Sequence, residues 1–120
     1  MESYFLTDTG KVREHNEDSV TILKNKKDEY LLAVADGMGG HKAGEVASSM
    51  AINHLTKSFN DLETMGDKKT CVEWIRNNVN EINNEIFEYT KNHPESKGMG
   101  STLVMAIYTK EYLLFANIGD

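Results

Sequence analysis

Apolar residues along this chain change period twice. Tyr4-Phe5-Leu6 is a short strand-like run that precedes the turn-like Thr7-Asp8-Thr9-Gly10. Ser19-Val20-Thr21-Ile22-Leu23 alternates and is rich in β-branched residues, the pattern of a half-buried strand. Tyr30 to Ala35 is a nearly unbroken apolar run, which suits a strand buried on both faces. The polar stretch from Lys24 to Glu29 joins these two runs as a hairpin tip. From Glu45 to Phe59 the spacing becomes helical, with Ala47, Met50, Ala51, His54, Leu55 and Phe59 on one stripe. A second helix starts near Thr70, where Thr70-Cys71-Val72-Glu73 has the form of a capping box. Val72, Ile75, Val79, Ile82, Ile86 and Tyr89 then recur at steps of three and four, ending before His93-Pro94. Two further strands, Ser101 to Tyr108 and Tyr112 to Ile118, follow. The order β-β-β-α-α-β-β predicts an α+β fold with mostly antiparallel sheet.

Composition narrows the function classes. The 120 residues carry 13 Lys and Arg against 19 Asp and Glu, a net charge of −6. That balance argues against sequence-independent nucleic-acid binding, which needs a basic face. No apolar run approaches the roughly 20 residues of a membrane span. The N-terminus lacks the pattern of a secretion signal. A single cysteine, Cys71, forms no intramolecular disulfide and fits a reducing, cytoplasmic setting. Its place in a helix suggests packing rather than catalysis. The chain stops at Asn117-Ile118-Gly119-Asp120 directly after a strand, so it reads as cut from a longer domain.

Candidate chemistry gathers at strand ends. Val34-Ala35-Asp36-Gly37-Met38-Gly39-Gly40-His41-Lys42-Ala43-Gly44-Glu45 takes a buried strand into a carboxylate, four glycines and a helix. Glycines let the backbone approach a ligand closely, and a carboxylate on a rigid strand suits ligation by a fixed oxygen. Glu45, at the expected helix N-terminus, is well placed against the helix dipole. Two nucleotide-binding readings fail on spacing. Lys42 stands where the dinucleotide fingerprint needs a glycine, and Ala43 follows it where a P-loop needs Ser or Thr. Upstream lies Arg13-Glu14-His15-Asn16-Glu17-Asp18, pairing acids with an arginine shaped to grip a phosphate through two parallel hydrogen bonds. If these ends converge with Asp120, bare carboxylates repel: at about 4 Å and an effective dielectric near 20, each close pair costs about 4 kcal/mol. Protons or divalent cations relieve that repulsion, and hard oxygens select Mg²⁺ or Mn²⁺.

Four segments make a resemblance specific. Thr9 to Asp18, Ala35 to His41, Gly98-Met99-Gly100-Ser101-Thr102-Leu103 and Asn117 to Asp120 resemble, in order, the successive signatures of PP2C-type (PPM family) metal-dependent protein phosphatases. The likeness runs the length of the chain and is nearest the compact bacterial members. It implies a layered α-β-β-α sandwich of antiparallel sheets flanked by helices, with residues 1–120 as the N-terminal part of one such domain and only part of each sheet present. It implies hydrolysis of phosphoserine and phosphothreonine in proteins, opposing a cellular Ser/Thr kinase, by water activated between two Mn²⁺ or Mg²⁺ ions. By the same resemblance Asp36 bridges the two ions and the Gly37 carbonyl helps bind one. Glu17 and Asp18 match positions that hold metal-bound waters, Arg13 the phosphate clamp, and Asp120 a ligand of a third, weaker metal site.

The pattern is departed from in two places. Where many eukaryotic relatives carry a histidine after Asp-Gly as general acid, this chain has Met38, and His41 is the bacterial-type substitute. An imidazole with pKa near 6.5 suits that role. The two further aspartates that complete the family's metal pair belong to its C-terminal half, outside these residues. A rival reading follows: a phosphatase-like binding module for a phosphoprotein or regulatory partner. Blander readings stand beside the sharp ones. Alone, Asp36-Gly37 is an ordinary turn, Glu17-Asp18 a solvated strand entry, Arg13 a surface charge and Asp120 a frayed end. His54 reads as a packed or capped side chain, and Ser101 and Thr102 as supports for the metal-bearing strands. A chain holding only part of each sheet is expected to expose strand edges and to swap or oligomerise.

Overall fold

The computed structural model describes residues 18–119. The Tyr4–Leu6 run, Arg13, Glu17 and Asp120 lie outside the described residues. Two strands come first, β1 (Asp18–Lys24) and β2 (Tyr30–Met38). Two helices follow, α1 (His41–Asn60) and α2 (Lys68–Asn92), then a 3₁₀ turn at Pro94–Ser96. β3 (Gly100–Tyr108) and β4 (Leu113–Ile118) complete the described elements. The strands form one antiparallel sheet in the order β1-β2-β3-β4. The α+β expectation holds. The described strands belong to a single sheet rather than to parts of two.

The helices cover one face of that sheet. Leu31, Ala33 and Ala35 of β2 and Leu103, Met105 and Ile107 of β3 are all at most 4% exposed and point to the helix side. Ala47, Ala51, Leu55 and Phe59 of α1 complete the core with Cys71, Ile75, Ile82 and Ile86 of α2. The thiol of Cys71 is fully buried and burial pushes its pKa up, which suits packing and not nucleophilic attack. The Tyr30–Ala35 run is therefore not buried equally on both faces. On the other face of the sheet Val20 and Ile22 of β1, beside this run in register, and Phe115 of β4 are more than half exposed.

Three boundaries differ from the sequence reading, each for a local reason. α1 starts at His41, not Glu45, because Gly40 turns the chain at φ 97° and its carbonyl accepts from the Gly44 amide at 2.8 Å. Glu45 consequently sits beyond the first turn. α2 starts at Lys68, and its cap is Asp67, whose carboxylate accepts from the Thr70 amide at 2.8 Å. The Thr70-to-Glu73 box is interior. β2 does not stop at Ala35 but runs on to Met38, carrying Asp36 and Gly37 within the strand.

The loop between the helices is tied to the far end of β2. Glu29, 8% exposed, accepts from Asn25 Nδ2 and the Met65 amide at 2.8 Å each and from Thr64 Oγ1 at 3.0 Å. Tyr112, its phenol pKa raised by burial and by Cys71, stays protonated and donates to the Gly66 carbonyl at 2.9 Å. Burial pushes the Glu29 carboxyl up, but its three donors, with Lys27 nearby, outweigh that and hold it below the ordinary range. A depressed native pKa contributes stability that is present above the unfolded value and lost as pH falls through the folded one. Glu29→Ala leaves the buried Met65 amide without an acceptor and should cost about 2–3 kcal/mol in urea unfolding at neutral pH. The gap to wild type should narrow as the solution is acidified.

Candidate functional site

Sheet register gathers the described parts of all four sequence motifs at one rim. Asp36, partly buried, lies opposite Asp18 of β1 on one side and Thr102 of β3 on the other. Gly37 pairs with Ser101 and Met38 with Gly100, so the second and third motifs run strand against strand. Leu103 pairs with Ile118, which brings the fourth motif alongside. Ser101 Oγ and Thr102 Oγ1 each donate to the Asp36 carbonyl at 3.4 Å, long hydrogen bonds that steady the strand end. The supporting part expected of Ser101 and Thr102 fits these contacts.

Two glycines are required by space. A Cβ on Gly37 would lie 1.8 Å from the Gly44 carbonyl oxygen, so the end of β2 and the first turn of α1 meet backbone to backbone. A Cβ on Gly39, at φ 110°, would lie 2.6 Å from Met99 Cα, which locks the loop against the segment entering β3. His41 is the first residue of α1 and so stands directly after this loop.

The donor chemistry fits a hard divalent cation: Asp36 offers carboxylate oxygens from a strand braced on both sides, and Gly37 offers a carbonyl. Among the described residues no three His, Cys, Asp or Glu side chains form a group able to hold a metal ion. Of the expected set, Arg13, Glu17 and Asp120 lie outside the described residues, and Asp18 and His41 are located here by their backbone positions.

The family model described as Protein phosphatase 2C matches residues 10–120. The chain belongs to the protein phosphatase 2C family. It is 39% identical over 120 residues to the serine/threonine phosphatase stp of Listeria welshimeri, covering 100% of this chain and 48% of that protein. Its fold is similar to the crystal structure of the serine/threonine phosphatase Stp1 from Staphylococcus aureus, with a TM-score of 0.82 and 40% identity over 96% of this chain and 45% of that one. It is also similar to the catalytic domain of the serine/threonine protein phosphatase PstP in complex with two manganese ions, at a TM-score of 0.75 and 38% identity, covering 94% of this chain and 45% of that one. This member of the protein phosphatase 2C family spans about half the length of the curated relatives it matches.

The register partner of Asp36 was not legible beforehand, because alternation along a strand says which face a residue takes and not which residue lies opposite. The need for glycine at position 37 follows from a long-range contact that no local pattern records. Gly37→Ala should destabilise the chain by more than about 3 kcal/mol or prevent native folding, since backbone on both sides must move. Circular dichroism during urea titration checks this, and a variant as stable as wild type would contradict the contact.

Proposed function

We propose that the protein to which this chain belongs is a metal-dependent serine/threonine phosphoprotein phosphatase, with residues 1–120 forming the N-terminal part of its single catalytic domain. The observation that carries the reading is the convergence of the described parts of the four motifs at the sheet rim around Asp36. The family relationship supports it. In this reading Asp36 and the Gly37 carbonyl would help hold two divalent ions, Mn²⁺ or Mg²⁺, and Asp120 would serve a third, weaker site. Glu17 and Asp18 would support the two-ion site through hydrogen bonds. Divalent ions, when bound, lower the pKa of coordinated water and offset charge on phosphoryl oxygens.

The chain's own side chains would do the rest. Arg13 offers two parallel N–H donors to the substrate phosphate and fixes its orientation. His41 supplies a proton to the departing seryl or threonyl oxygen, which leaves poorly as an alkoxide. The substrates would be phosphorylated proteins, with a Ser/Thr kinase acting in the opposite direction. No helix among the described residues is long and apolar enough to cross a membrane. A lone buried thiol is consistent with a reducing, cytoplasmic compartment.

Phosphate release from a phosphothreonine peptide by the full-length protein with Mn²⁺ tests the proposal. Asp36→Asn should lower turnover by more than about a hundredfold, because loss of a ligand exceeds the usual 10–100-fold cost of losing its support. Absence of turnover in the wild type, or turnover indifferent to Asp36→Asn, removes the mechanism. The 120-residue chain expressed by itself should self-associate through strand edges and its uncovered apolar sheet face. Light scattering that reports a compact, monodisperse monomer would count against this.

A further inference from the structure

Away from the rim, one titratable side chain is held in a way that its own valence makes informative. His54 lies in the second half of α1 and faces α2, where Glu81 and Glu85 stand one turn apart. Its Nδ1 is 2.7 Å from Glu85 Oε2 and its Nε2 is 2.9 Å from Glu81 Oε1. The imidazole is 18% exposed, while the two carboxylates are 46% and 60% exposed.

A neutral imidazole has one N–H and one lone pair, whereas an ionised carboxylate offers only lone pairs. With a neutral ring, one of the two contacts would set lone pair against lone pair at hydrogen-bonding distance. A single added proton turns both into donor–acceptor contacts. Proton affinity decides where it goes: an imidazole holds a proton near pH 6.5, a glutamate only to about pH 4.3. We propose that His54 is an imidazolium clasped between Glu81 and Glu85, so that the joint between α1 and α2 responds to pH near neutrality.

The electrostatic surroundings agree. Burial pulls the ring's pKa down, but the hydrogen bonds and charges of Glu81 and Glu85 prevail, and the net shift is upward. Those two carboxylates are the groups facing the ring from α2. Glu88, further along α2, is paired with Lys91 at 3.3 Å. On α1 the nearest charged residue in sequence is Lys57, which is exposed. A native pKa raised above the unfolded value contributes stability that is complete below about pH 6.5 and lost as pH rises through the folded pKa. The clasp therefore strengthens α1–α2 packing on mild acidification, the opposite sense to the Glu29 tie.

The decisive measurement is ring ¹⁵N NMR of His54 in the full-length protein, followed through pH. Protonation of both ring nitrogens, with a midpoint above that of an unfolded reference peptide, is expected. The paired change Glu81→Gln and Glu85→Gln should bring the midpoint back toward the reference. It should also flatten the decline of thermal stability between about pH 6 and pH 8. A neutral tautomer at or below the reference midpoint in the wild type overturns the proposal, as does a midpoint unmoved by the paired change. If that variant does not fold, the wild-type ring shifts decide alone.

Discussion

Where α1 lies over β2 the core is built from small side chains: Ala33 and Ala35 on the strand, Ala47 and Ala51 on the helix, none more than 1% exposed. Small residues on both elements let helix and strand approach closely, and at the end of the overlap Gly37 and Gly44 leave only main chain between them. Larger residues, Leu55 and Phe59, appear further along α1 and share the buried core with Leu31 and Met65. The axis of α1 is thus set by a taper in side-chain volume. Truncating a fully buried leucine such as Leu55 in such a core costs about 2–5 kcal/mol by cavity formation.

Two carboxylates on or beside β2 illustrate opposite uses of one functional group. Glu29, just before the strand, is enclosed by donors of the protein itself and serves as a fastener for the interhelical loop. Asp36, near the other end, stands opposite another acidic residue in register, Asp18, at the rim where the family motifs meet. The charge of the first is stabilised locally by hydrogen bonds. The second is the residue that the proposed function assigns to a divalent cation. Distance along the strand keeps the two from interfering, since six or seven residues of extended chain span roughly 20 Å.

Periodicity made most of the fold legible. Both helices and all four described strands were expected at nearly their observed positions, because the apolar spacing of 2 or 3.6 residues survives folding intact. The caps were less legible. Thr70 to Glu73 has the letters of a capping box, yet Asp67 lies nearer the start and its carboxylate reaches the Thr70 amide first. The run Tyr30 to Ala35 reveals that its residues are apolar but not which neighbours cover them, so one covered face and one open face look alike in sequence. At the candidate site the motifs pointed to Asp36 and Gly37, but not to Thr102 as register partner or to the contact with Gly44. In the sequence Glu29 is the last residue of a polar hairpin tip. Its burial arises from a loop more than thirty residues away, as the hydrogen bond to Met65 records.

The contacts at Gly37 and Gly39 carry a consequence for variation. With no space for a Cβ at either position, the rim has only peptide groups at Gly37 and Gly39, on either side of the exposed Met38 side chain. Peptide groups are chemically the same whatever the rest of the sequence becomes. Those two positions therefore have a fixed vocabulary, and any preference that distinguishes one protein of this kind from another has to be written where side chains can be exchanged, at Met38 between them or in neighbouring segments.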